Sequence, residues 1–158
     1  MADTEVKPVK VVLALIPRNG SFVLIERKNP HLHLRWAFPG GKTKPEINET
    51  EEDAVVREAF EEVGLDVRVA RKLIERKHPD TLVQMVYFHC ELLDATQEPV
   101  VKEDYEISTV EWVPAGQVIE RFTSNVDPTI REFILSFAKD SSKEVADALG
   151  AAVKEHKH

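Results

Sequence analysis

The sequence predicts a single α/β domain, and three observations carry that prediction. β-Branched, apolar runs recur along the chain at residues 9–16 (VKVVLALI), 21–26 (SFVLIE) and 83–92 (VQMVYFHCEL), each long enough for a strand. Between the second and third lies an acidic segment with helical spacing and a stop signal at Gly64. The 158 residues suffice for one sizeable core and leave no room for a second domain.

In chain order, residues 9–16 and 21–26 flank Pro17-Arg18-Asn19-Gly20, a turn sequence, and so read as a hairpin. A polar loop with histidines, NPHLHLRW, leads into Phe38-Pro39-Gly40-Gly41, where a sharp turn is expected. The acidic helix runs from Thr50 to Val63. Thr50 with Asp53 resembles a capping box, Glu51, Glu52 and Asp53 place negative charge at the positive end of the helix dipole, and Gly64 stops it. Strands follow at 67–75, 83–92 and 109–113, then helices at 115–122 and 128–138, the second with an apolar stripe of Phe133, Ile134 and Phe137. The domain is assigned to residues 1–140, and 141–158 to a peripheral, weakly amphipathic C-terminal helix whose His156 and His158 are read as solvated.

A net charge of −7 argues against a nucleic-acid polymer as partner, because binding a phosphate backbone needs a basic surface. It leaves room for a small phosphorylated substrate whose contact is mediated by a cation. The longest apolar run, residues 11–16, is far too short to span a bilayer, so no membrane segment is expected. An N-terminus without the apolar stretch of a secretory signal and a single cysteine, Cys90, point to the cytoplasm. Cys90, inside an apolar run, reads as a small core residue.

The acidic helix is the most informative stretch. Glu58, Glu61 and Glu62 fall within about 100° of one another, while Val56, Ala59, Phe60 and Val63 are read as its packing side. Glu58 and Glu62 form a like-charge i,i+4 pair, which destabilises a bare helix by a few tenths of a kcal/mol. A bound cation reverses that cost. Mg²⁺ suits the position as a hard ion that takes oxygen ligands and bridges carboxylates to phosphates, with Mn²⁺ the second choice. Spacing alone leaves a solvated acidic face equally open.

The run GGKTKPEINETEEDAVVREAFEEVGL, residues 40–65, resembles the signature of the Nudix hydrolases, with a glycine, a glutamate (Glu49), the R-E-x-x-E-E core (Arg57 to Glu62) and a glycine (Gly64) in order. One feature departs from that pattern. The family has five residues between the opening glycine and first glutamate, whereas seven separate Gly41 from Glu49, so the loop is two residues longer. FPGGK (38–42) and EISTVEWVP (106–114) extend the resemblance outside the box. It implies an α/β/α sandwich with a mixed β-sheet between helices, and Mg²⁺-dependent hydrolysis of a nucleoside diphosphate linked to another group.

By the same resemblance, Gly40 (through its carbonyl), Glu58, Glu61 and Glu62 hold the metal, and Glu58 or another of these glutamates serves as base. Arg57 orients a glutamate, and Glu49 pairs with it. A further metal carboxylate comes from the acidic loop KEDYE, with Glu106 chosen and Glu103 the alternative. Arg27 and Lys42 are expected to contact phosphate, Phe38 to stack on a base alongside Trp36, and Asn125 to read the base. A MutT-like nucleoside triphosphate is the favoured substrate. An ADP-ribose or nucleotide-sugar pyrophosphatase, for which Pro79 speaks weakly, and a noncatalytic nucleotide sensor are the alternatives. The sequence leaves the oligomeric state open, a homodimer being compatible with it.

Overall fold

The computed structural model describes residues 7–29, 35–79, 82–122 and 125–138. One sheet runs in the order β5 (Gly40–Lys42), β1 (Val11–Leu15), β7 (Gln84–Leu92) and β6 (Val67–Lys77). It is mixed, because β1 and β7 are parallel, with Val11 beside Met85 and Leu15 beside His89, while its other pairings are antiparallel. The second sheet holds β2 (Pro17–Arg18), β3 (Ser21–Arg27) and β4 (Trp36–Ala37), with β8 (Ile107–Pro114) paired along β3.

Successive side chains on β1 point to opposite faces, and both faces are covered. Val12 and Ala14 pack under α1 (Glu51–Val63), and Leu13 and Leu15 under α2 (Ala115–Arg121) and a third helix, α3 (128–138). β3 repeats the alternation, with Val23 and Ile25 toward α1 and Phe22 and Leu24 toward the other helices. Such two-sided burial makes these strands continuous apolar runs, and it produces the expected α/β/α sandwich. The Phe133 and Phe137 rings of α3 meet Phe22 edge to face at 6.1 and 5.2 Å. Cys90 is fully buried, and burial pushes its thiol up to about 12, so it is a core residue without nucleophilic character.

Three local expectations sharpen or change. The tight hairpin joins β2 to β3, not β1 to β3. Asn19 and Gly20, at φ 49° and 76°, supply the two positive φ values of a two-residue turn. At the fully buried Ile16 the chain passes from one sheet to the other. The turn expected in Phe38-Pro39-Gly40-Gly41 falls at Pro39, a bend between β4 and β5, and the two glycines themselves lie in β5, opposite Leu13 and Val12. Finally, α1 exchanges two side chains between its faces. Phe60 is 46% exposed, whereas Glu62 is 4% exposed beside Ala59 and Val63. The physical reason is spacing, since Glu62 lies i+3 from Ala59 and i+7 from Val55, on the buried stripe.

The helix ends behave as the sequence dictates. The Thr50 hydroxyl accepts the Asp53 N–H at 3.0 Å, and Gly64 adopts φ 71° while donating to the Phe60 carbonyl at 2.9 Å. The expected C-terminal helix, residues 141–158, and most of the histidine loop lie outside the described residues. Among the described residues no helix is long and apolar enough to cross a membrane.

Candidate active site

The site is organised by Arg57, one turn before the end of the acidic face. Its guanidinium binds Glu49 in a two-pronged pair (2.6 and 3.0 Å) and donates to Glu58 at 2.8 Å, to Glu61 at 2.9 Å and to the Lys42 carbonyl at 3.1 Å. The planar fork satisfies this set of acceptors as a lysine could not. Arg57 holds the Glu49 carboxyl below its ordinary range, while the Glu49 bond raises the guanidinium's own value. The two additional residues of the 42–48 loop are absorbed by a 3₁₀ turn, Pro45–Ile47, which ends at Asn48 with φ 56°. Glu49 closes that turn by accepting the Lys44 N–H at 3.1 Å and still reaches Arg57.

The two box glycines serve close approach. A Cβ on Gly40 would fall inside contact with the Val12 carbonyl oxygen, and one on Gly41 would lie 2.5 Å from the Glu58 carboxylate. The Gly40 N–H donates to Glu62 Oε1 at 3.1 Å. Burial pushes the Glu62 carboxyl up to about 8, against the pull of that hydrogen bond and of Arg27. Burial also raises Glu58, against its bond to Arg57. These are carboxylates whose ionised form is costly unless a cation stands beside them.

One carboxylate oxygen each from Glu58, Glu61 and Glu103 gather within 4.8 Å of one another. Glu103, the alternative from sequence, is the carboxylate of the KEDYE loop that joins this group. The loop between β7 and β8 is tied to the end of α1, Val100 N–H donating to the Val63 carbonyl at 2.9 Å and Lys102 N–H to that of Glu62 at 3.2 Å. Glu103 follows directly. Glu106 stays outside the group, its backbone bonded to the Glu103 carbonyl and to Lys28 N–H. Burial raises the Glu103 carboxyl, and Glu106, Glu58 and Glu61 add to the shift. The all-oxygen donor set fits a hard divalent cation.

A largely apolar pocket of about 200 Å³ lies between β1, β7 and the segment leading into α3, and one of its lining residues, Arg27, acts electrostatically on Glu62. Arg27, Phe38 and Asn125 line it, as do Trp36, Arg76, Tyr87 and Asp127, but Lys42 does not. Phe38 is 5% exposed and packs on Phe22 and Phe122, so it contributes a wall and not an open stacking face. Arg76 donates to the Asn125 carbonyl at 3.1 Å and to the Tyr87 hydroxyl at 3.3 Å. Sequence reasoning missed Arg76 and Tyr87, which meet only through the β6–β7 pairing; nothing local marks either. It ranked Glu103 second because it counted residues back from Trp112.

The family model described as NUDIX domain matches residues 6–136. The chain belongs to the NUDIX family. A stretch of 72 residues, 44% of this chain and 62% of the relative, is 38% identical to 8-oxo-dGTP diphosphatase of Proteus vulgaris. Another of 73 residues, 46% of this chain and 42% of the relative, is 40% identical to ADP-ribose pyrophosphatase of Methanocaldococcus jannaschii. The matched stretches thus cover less than two thirds of either relative. In three dimensions the chain resembles the MutT protein from Methanosarcina mazei Go1, with a TM-score of 0.61 and 21% identity over 84% of this chain and 94% of that one, a likeness of fold. The NUDIX fold accounts for the mixed sheet, the box helix and the glycines packed against it.

Proposed function

We propose that this NUDIX chain hydrolyses phosphoric anhydride bonds in a small nucleoside diphosphate-linked substrate, using Mg²⁺ or Mn²⁺. The observation that carries this reading is the convergence of Glu58, Glu61 and Glu103 within 4.8 Å of one another. A cation held there would supply charge neutralisation for the diphosphate. The box residues hold the remaining parts in place. Arg57 donates to both Glu58 and Glu61, and Gly41 leaves the space that Glu58 fills. Glu58, half-buried and raised by desolvation, is the base that accepts a proton from the attacking water. Glu62 stands behind it, bonded to the β5 backbone. Arg27 lines the pocket and acts electrostatically on Glu62, so it joins the two halves of the site and suits a phosphate between them.

A MutT-like nucleoside triphosphate is the favoured substrate, supported by the similarity to an 8-oxo-dGTP diphosphatase and by Asn125 in the pocket wall. The ADP-ribose reading has its own support in the similarity to an ADP-ribose pyrophosphatase. The test is a hydrolysis screen of nucleoside triphosphates, ADP-ribose and nucleotide sugars with Mg²⁺, phosphate and pyrophosphate being measured separately. Turnover that EDTA abolishes is expected, with pyrophosphate released from triphosphates. Tight binding without turnover across the panel would replace the enzyme by a nucleotide sensor.

A further inference from the structure

Phe60 is an anomaly of the box helix. It sits among charged residues, is 46% exposed, and takes no part in either core cluster. The Lys102 ammonium lies 3.7 Å from the centre of its ring. Lys102 immediately precedes Glu103, and its N–H is bonded to the carbonyl of Glu62. The stop glycine shapes the same contact from below: a Cβ on Gly64 would press on Val100 Cγ2 at 3.1 Å and Lys102 Cδ at 3.3 Å. The loop therefore rests in a notch at the end of α1, held by two backbone hydrogen bonds and one side-chain clasp.

We propose that the Phe60–Lys102 pair is a positioning clasp that holds Glu103 within the carboxylate group, and so sets the affinity of the site for its divalent cation. This rests on the metal-dependent reading of Glu58, Glu61 and Glu103. The need for a clasp follows from charge. Glu103 must stay close to two other carboxylates, which repel it whenever no cation is bound. Its loop is the partner that must be docked, since Glu58 and Glu61 are already bonded to Arg57. A lysine stacked on an aromatic face is worth about 0.5–1 kcal/mol at an exposed site, which corresponds to about a two- to fivefold change in an equilibrium. Neither residue touches the metal or substrate in this scheme; both act through Glu103.

The clasp makes a prediction opposite in sign to simple electrostatics. Replacing Lys102 by a neutral residue removes a positive charge near a cation site, which by itself tightens metal binding. Loss of the clasp loosens it. The experiment is calorimetric titration of the full chain with Mn²⁺ and with Mg²⁺, without nucleotide, for wild type, Phe60→Leu, Lys102→Met and the double variant. Each single variant should weaken binding about two- to fivefold, the double variant no more than the weaker single, and Phe60→Tyr and Lys102→Arg should restore it. Thermal melts in EDTA check that each variant folds. Unchanged or tighter binding in Lys102→Met, or additive losses in the double variant, overturns the clasp. If wild type binds neither ion and Glu103→Gln changes nothing, the metal reading itself falls, a failure distinct from that of the clasp alone.

Discussion

The carboxylate group and the pocket are built in opposite ways. The first is charged and comes from one helix plus one docked loop, with Arg57 bonded to Glu49, Glu58, Glu61 and the Lys42 carbonyl. The second is lined mainly by apolar side chains and assembled from β1, β3, β4, β6, β7 and the segment before α3. Chemistry at the first depends on charge and angstrom-level placement, whereas recognition at the second depends on shape and a few polar groups. Substitutions in the first should therefore act on turnover and metal affinity, and those in the second on KM.

The sharpest break in that comparison is at the acidic end. Glu58→Gln should abolish nearly all hydrolysis, and Glu62→Gln should lower kcat by at least about 10²-fold. Neither should cost stability, because each relieves a buried or repelled charge; the melting temperature of Glu62→Gln should hold or rise. Turnover equal to wild type in Glu62→Gln would remove that residue from the site's machinery.

The adjacent glycines offer a finer division. In Gly41→Ala the new methyl meets the far end of a flexible side chain, the Glu58 carboxylate, which can swing aside. Activity should fall about tenfold or more with little change in melting temperature. In Gly40→Ala the methyl meets backbone, the Val12 carbonyl, so the β1–β5 pairing itself must shift and the melting temperature should drop. Equal stability of the two variants would sink this distinction.

The same contrast decides what the sequence could reveal. Spacing alone placed α1, its Thr50 cap, its Gly64 stop and the cluster of Glu58 and Glu61, because all are relations between residues a few positions apart. It placed Phe60 inside and Glu62 outside, the reverse of the structure, since it weighed residue type and could not see the Gly40 N–H that receives Glu62 or the Lys102 that covers Phe60. That Glu103, and not Glu106, gathers with Glu58 and Glu61 has the same origin: loop docking on Val63 and Glu62 is not local in sequence. Arg27 and Asn125, named from sequence as candidate phosphate and base contacts, both line the pocket, whereas Arg76 and Tyr87 required the β6–β7 register, in which Ile74 pairs with Tyr87 and Arg76 with Met85. The hairpin error arose because a turn sequence tells where the chain reverses and not which sheet it leaves.

Within the pocket, Arg76→Met should raise KM several-fold while kcat changes less than about twofold, since the variant keeps the length of the side chain and loses the hydrogen bonds to Tyr87 and Asn125. Steady-state kinetics on whichever nucleotide the screen identifies would check it. A fall in kcat with KM unchanged would place Arg76 with the chemistry and blur the boundary between the two regions.

The smallest effect expected is a pH dependence that belongs to the acidic region alone. Without metal, burial holds the Glu62 carboxyl at about 8, above the 4.5 of an unburied glutamate. Between those values the folded protein keeps a proton that the unfolded chain has released. The stability it contributes is thus complete below 4.5 and is lost as pH rises through 8. In EDTA the melting temperature of wild type should fall relative to that of Glu62→Gln between pH 6.5 and 8.5, by about 2–4 °C. Mg²⁺ favours the ionised carboxylates, so the stabilisation it gives wild type should grow over the same interval. Because the two proteins share every other titrating group, their difference isolates this one. Parallel melting curves across that range would show that Glu62 ionises as an ordinary carboxylate, and would remove the buried-charge argument for a cation at this helix.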